Sequence, residues 1–93
     1  MGNVTYWKSE RRRARTALRN YIANNKKSIE EEYQIEIPAN IKNLSGEEFS
    51  NWLKTVRRTL LSKNNSSELY LLIAQYSCAC TNLRTAENSI FSI

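Results

Sequence analysis

Hydrophobic positions recur at helical spacing in three stretches of this chain. In the first, residues 5–32, Trp7, Ala14, Leu18, Tyr21, Ile22 and Ile29 fall within a wedge of about 100° on a helical wheel. Asn24 and Asn25 are candidates to split that run in two. Glu30, Glu31 and Glu32 crowd its end, where the helix dipole favours cations. One straight rod is therefore not expected. Residues 33–37 read YQIEI, an alternating pattern that stops at Pro38. It is too short to make a sheet alone and predicts an extended connector or a lone edge strand. Residues 38–44 have room for one helical turn.

The second stretch opens with Ser45-Gly46-Glu47-Glu48, a capping box with Ser45 as N-cap and Glu48 at the third helical position. Phe49, Trp52, Leu53, Val56 and Leu60 then follow at i, i+3, i+4, i+7 and i+11, the cleanest amphipathic signal in the chain. The helix should end near Lys63, with Asn64, Asn65, Ser66 and Ser67 as a loop. A third helix is predicted from about Ser67 to Arg84 or beyond, with Leu69, Leu72, Ile73, Tyr76, Cys80 and Leu83 as its main stripe. Leu71, Ala74, Cys78 and Ala79 spread apolar character around it, which predicts the central, most buried helix. The last residues, SIFSI, either pack back on the bundle or lead into a longer parent chain. The fold class expected is all-α: one domain over residues 1–93, a bundle of three to five helices.

Composition narrows the chemistry. Ninety-three residues support one modest core, and two Gly and one Pro leave too few turns for a sandwich or barrel. Cys78 and Cys80 would point about 200° apart on a helix and cannot bridge each other, so a reducing compartment is expected. With no His and no CxxC, no ligand set for zinc or haem exists, and neither metal nor cofactor is expected. The same lack removes Ser-His and Cys-His pairs. The carboxylate runs at residues 30–32 and 47–48 are helix-end charges, and Gly2 and Gly46 alone cannot build a phosphate loop. No catalytic residue, enzymatic activity or small-molecule substrate is expected. The longest apolar stretch, residues 69–74, falls far short of the roughly 18 residues of a membrane span. The N-terminus also lacks the apolar run of a secretory signal.

Charge is segregated along the chain. Residues 1–27 carry Lys8, Arg11, Arg12, Arg13, Arg15, Arg19, Lys26 and Lys27 against the single acid Glu10, whereas residues 28–93 hold six cations and eight carboxylates. On the wheel, Arg11, Arg12, Arg15, Arg19 and Lys26 lie within about 60° of Lys8. The bland alternative is a solvated face, but Glu10 is the sole carboxylate in residues 1–27, so i,i+4 pairing does not explain the stripe. The planar fork of Arg suits phosphate, whether in lipid headgroups or in nucleic acid. Lys54, Arg57 and Arg58 form a smaller patch on the second helix, either an ordinary solvent face or an extension of the first patch. Gly2 is a candidate acyl acceptor beside this basic segment, although Tyr6 stands where the myristoylation motif asks for Ser or Thr.

MGNVTYWKSERRRARTALR, with Met-Gly first, an early Trp and a basic run, resembles the start of a retroviral Gag matrix domain of the lentiviral kind. SNWLKTVRRTLLSKNNSSELYLLIAQYSCACTNL is similar to the last two helices of such domains, with Ser66-Ser67-Glu68-Leu69 opening the final one. Basic helix stands here where some matrix domains carry a Gly-rich basic loop. The resemblance implies a helical bundle that brings Gag to the inner plasma-membrane leaflet through Lys8, Arg11, Arg12, Arg13, Arg15 and Arg19. It also implies myristoylation of Gly2, RNA as a further partner of the same charges, and a place in the virion. The leading expectation is thus a structural, membrane-targeting domain. Its partners would be phosphoinositide or phosphatidylserine, and it would work at the cytoplasmic face of the host plasma membrane or in the cytoplasm. A small viral or phage nucleic-acid-binding protein is the rival reading, and a bundle that binds an acidic protein is a third. Homo-oligomerisation stays open.

Overall fold

The computed structural model describes residues 2–62 and 67–91. Four α-helices make up a single-domain, all-α bundle: α1 (Gly2–Asn24), α2 (Lys26–Tyr33), α3 (Gly46–Leu61) and α4 (Glu68–Phe91). A 3-10 turn over Ile41–Asn43 precedes α3.

The first run breaks at Asn25. Its backbone N–H and its side-chain Nδ2 both donate to the Tyr21 carbonyl, at 3.0 and 2.9 Å, while Ile29 N–H donates to the Asn25 carbonyl at 2.9 Å. An Asn amide that bonds its own preceding turn competes with the helical ladder, which gives a short second helix instead of a rod. α2 then stops at Gln34, which adopts the left-handed conformation (φ 55°) without being glycine. Its N–H closes on the Glu30 carbonyl. Of the three glutamates that seemed misplaced, Glu30 has a task. Its Oε2 accepts from Ile37 N–H at 2.9 Å and its Oε1 lies 3.6 Å from Lys26 Nζ. YQIEI is accordingly a connector laid on the bundle, with Tyr33 and Ile37 buried and no strand among the described residues. The Tyr33 phenol is raised above its ordinary pKa, first by burial and then by the charge of Glu32.

α3 starts as its capping box requires. Ser45 Oγ accepts from Glu48 N–H at 3.1 Å, and Glu48 Oε1 accepts from Ser45 N–H at 2.9 Å. Its described end is Leu61, and Lys63 and residues 64–66 of the predicted loop lie outside the described residues. Ser67 stands just before α4 and caps it, its Oγ accepting from Tyr70 N–H at 3.1 Å. α4 reaches Phe91, well past Arg84, and the end of the SIFSI tail lies outside the described residues.

The core gathers on Phe49, Leu18, Ile22, Leu60 and Ile73, all fully buried. α4 packs chiefly along α1, where Ala14, Ala17, Ala74 and Ala79 allow close approach. α3 stands farther off, and the rings of Phe49 and Tyr76, with centroids 6.1 Å apart, fill the gap. The expectation that α4 is buried all round is corrected here. Leu71 is 54% exposed, and Ala74 and Cys78 also face outward. Among the described residues α1 and α3 are the main neighbours of α4, and its face with Leu71, Ala74 and Cys78 is left exposed. No helix among the described residues is long and apolar enough to cross a membrane.

Phe49→Ala should lower unfolding free energy in urea by about 3–5 kcal/mol, as truncation of a fully buried aromatic does. Trp52→Ala should lose less, because Trp52 only flanks that core and its indole N–H reaches the Glu36 carbonyl at a long 3.3 Å. Ser45→Ala should cost about 1 kcal/mol through the lost cap.

A candidate anion-binding groove between three helices

On α1, Arg11, Arg15, Leu18 and Ile22 follow one another at i, i+4, i+7 and i+11 and so share one face. The C-terminal half of that face is core. Its N-terminal half presents guanidinium groups where apolar side chains would otherwise close the bundle. Because α3 already stands off, the space between α1, α3 and α4 stays open there as a groove of about 390 Å³.

Arg11 lines it from α1, Ser50, Lys54 and Arg57 from α3, and Tyr76, Ser77, Cys80, Thr81 and Arg84 from α4. An adjoining recess adds Arg15, Gly46 and Asn51 and shares Arg11, Ser50, Lys54, Tyr76 and Cys80 with the first. Five cations thus meet from three helices, against Glu47 and Glu87 at the margins.

The seats of the arginines are specific. Gly46, the first residue of α3, lets the Arg15 guanidinium lie on its backbone, since a Cβ there would come within 2.7 Å of Nη1. Arg19 lies deeper, with Cζ 5.0 Å from the centroid of the Phe49 ring, a cation–π contact that covers the core. Arg11 Nε, Arg19 Nε and Arg19 Nη2 are buried with no hydrogen-bond acceptor among the described residues. Buried N–H donors of that kind cost about 1–3 kcal/mol each unless something supplies an acceptor. The Ser50 and Tyr76 hydroxyls bond each other across the α3–α4 gap and fix the floor. The donors facing the groove are mostly N–H and O–H groups, a set suited to an oxyanion. Among the described residues no cluster of His, Cys, Asp or Glu could hold a metal ion.

The structure therefore divides the predicted basic stripe. Arg11 and Arg15 enter the groove, and Arg19 packs on Phe49; none of the three is the free outer charge that the wheel implied. Lys8 and Arg12 remain exposed on the outside of α1, as does Arg13, which pairs with Glu10 at 3.5 Å. Lys26 pairs with Glu30, and Lys27 is exposed on α2; neither lines the groove. Lys54 and Arg57 join Arg11 and Arg15, whereas Arg58 sits beside them in a shallow depression with Leu61 and Ser62. Gly2 is the first residue of α1. Arg84 was not anticipated. Its signal was its spacing, for Tyr76, Cys80 and Arg84 lie at i, i+4 and i+8 on α4 and so share a face.

No protein-family model, curated protein or solved structure matches this chain.

Two substitutions separate packing from charge. Arg19→Gln should lower stability by about 1–2 kcal/mol through loss of the buried cation–π contact, while Arg12→Gln stays within about 0.5 kcal/mol. Gly46→Ala should keep α3 intact by circular dichroism, since Ala is the better helix former. It should nevertheless unseat Arg15, visible as a shift of its Nε–H resonance.

Proposed function

We propose that this chain is a structural, matrix-like membrane-targeting domain that holds the phosphates of anionic phospholipid headgroups in the groove between α1, α3 and α4. The observation that carries the reading is the convergence of Arg11, Arg15, Lys54, Arg57 and Arg84 on one concave surface. Such a cluster repels itself, and five cations lined up with only Glu47 and Glu87 against them are stabilised by an anionic ligand. A protruding headgroup can enter a groove that a flat surface could not fill. Lys8 and Arg12, exposed on α1, add attraction toward an anionic leaflet at about 1 kcal/mol for each cation near the surface, while Arg13 pairs with Glu10 beside the furrow.

The aromatic residues favour lipid over single-stranded nucleic acid. Binding of single strands rests on exposed rings that stack bases. The tyrosine of this groove, Tyr76, is buried, with its hydroxyl engaged by Ser50. The exposed ring is Tyr6, edge-on to Trp7 at 4.9 Å in the first turns of α1, and amphipathic rings of this kind suit the lipid–water boundary. Acylation of Gly2 would add a second anchor to the basic one, since a single myristoyl chain binds a bilayer only marginally. The working location is the cytoplasmic face of the plasma membrane and, in a Gag-like assembly, the virion.

Co-sedimentation with vesicles tests this. The protein should pellet with phosphatidylcholine vesicles containing phosphatidylserine or phosphoinositide and not with phosphatidylcholine alone. Lys54→Gln with Arg57→Gln should weaken binding by about 2 kcal/mol, roughly thirtyfold, and Lys27→Gln should not. Raising salt from 0.1 to 1 M, which shortens the Debye length from about 10 to about 3 Å, should release it. If the double variant binds like wild type, the groove is not the site. If RNA at matched phosphate concentration strips the protein from phosphoinositide vesicles, the nucleic-acid reading replaces this one.

A further inference from the structure

The groove contains a nucleophile that phosphate binding does not use. Cys80 is half-buried and lines both the groove and its adjoining recess, among Arg11, Arg15 and Lys54. Cys78 lies on the other side of α4. It is exposed, borders a furrow with Trp7, Ala14, Ala17 and Leu71, and its Sγ lies 3.4 Å from Asn82 Nδ2. One helix thus carries two thiols in different settings, Cys80 among cations and Cys78 beside a mainly apolar furrow where Glu10 and Arg13 offset each other, which gives the molecule its own control.

We propose that Cys80 is a site of S-thiolation selective for anionic disulfides such as oxidised glutathione, with the groove cations as the selecting element. This rests on the groove being an anion site, but not on the anion being a lipid. Three observations bear on it. A basic cleft raises the local concentration of an anionic reagent and lowers that of a cationic one. The half-buried Arg11 guanidinium lines the groove, and its fork suits a carboxylate on the reagent. The volume, about 390 Å³, falls within the range of pockets that hold small ligands.

In the reaction the Cys80 thiolate attacks one sulfur of the disulfide. The new S–S bond forms to Cys80 as the original S–S bond breaks. The departing glutathione takes the electron pair and then a proton, so Cys80 is oxidised while the disulfide is reduced. The attached glutathionyl group brings two carboxylates and one ammonium into the groove, which lowers its positive charge and occupies its space.

The test uses the full chain with Cys78→Ser, which reports on Cys80, and with Cys80→Ser, which reports on Cys78. Each is treated with oxidised glutathione and, separately, with cystamine, a disulfide of opposite charge, and modification is followed by intact mass. The ratio of anionic to cationic rates should be about tenfold or more higher at Cys80 than at Cys78, at the lower end of what electrostatic focusing provides. Arg57→Gln and added salt should shrink it. Inorganic pyrophosphate should protect Cys80 and leave Cys78 untouched at matched ionic strength. Equal ratios at the two thiols, or no protection of Cys80 by pyrophosphate, would overturn the proposal. A protein that shows the ratio and the protection yet ignores anionic vesicles overturns the membrane reading instead and leaves this one standing.

Discussion

Everything distinctive in this bundle depends on a change of residue type along one face of α1. Leu18 and Ile22 close the core, while Arg11 and Arg15, in the same register one and two turns earlier, open a groove. A helix cannot rotate halfway along its length, so the face that buries Leu18 must also turn Arg11 and Arg15 toward α3 and α4. Arg19 marks the border between the two regimes. Its guanidinium lies on the Phe49 ring, so the same side chain that caps the core forms the inner end of the charged region.

The spacing of the helices follows from their side chains. Alanines on α1 and α4 let those two helices meet closely. α3 has Phe49, Ser50 and Leu53 facing inward and Gly46 at its start, and the arginines of α1 come between. Were Gly46 any larger residue, Arg15 would have to leave its seat. The groove therefore exists because long cationic side chains, the standing-off of α3 and one glycine are mutually compatible. Natural sequences depart from a closed apolar core mainly where function requires it, and this departure is confined to one end of the bundle.

Most of the fold was legible from periodicity. The capping box at Ser45, the apolar stripe from Phe49 to Leu60 and the break near Asn25 are local signals, written in residues a few positions apart. The groove was not legible in the same way. The wheel of α1 places Arg11 and Arg15 in or beside the register of Leu18 and Ile22, but it does not show what lies opposite them, and their partners on α3 and α4 lie far away in sequence. The burial of α4 was misjudged for a related reason. Apolar character all round a helix predicts burial all round it, but Leu71, Ala74 and Cys78 stay exposed along a furrow beside Trp7, Ala14 and Ala17. Arg84 was overlooked because a lone cation on a largely apolar helix carries no pattern until α1 and α3 are laid beside it.

The two faces of α4 place the charged and apolar surfaces on different sides of the molecule. Tyr76, Cys80 and Arg84 look into the basic groove, while Leu71, Ala74 and Cys78 border the furrow beside Trp7, Ala14 and Ala17. On α1 the furrow residues and the groove residues lie on neighbouring faces, with Ala17 and Arg15 far apart and Trp7 and Arg11 nearest each other. A flat anionic surface engaged through the groove would therefore leave the furrow partly uncovered. The proposed polyanion contact and any apolar contact are consequently separable by mutation. Charge changes at Lys54 or Arg57 and volume changes at Ala17 or Leu71 act on different sides of a bundle whose core touches both.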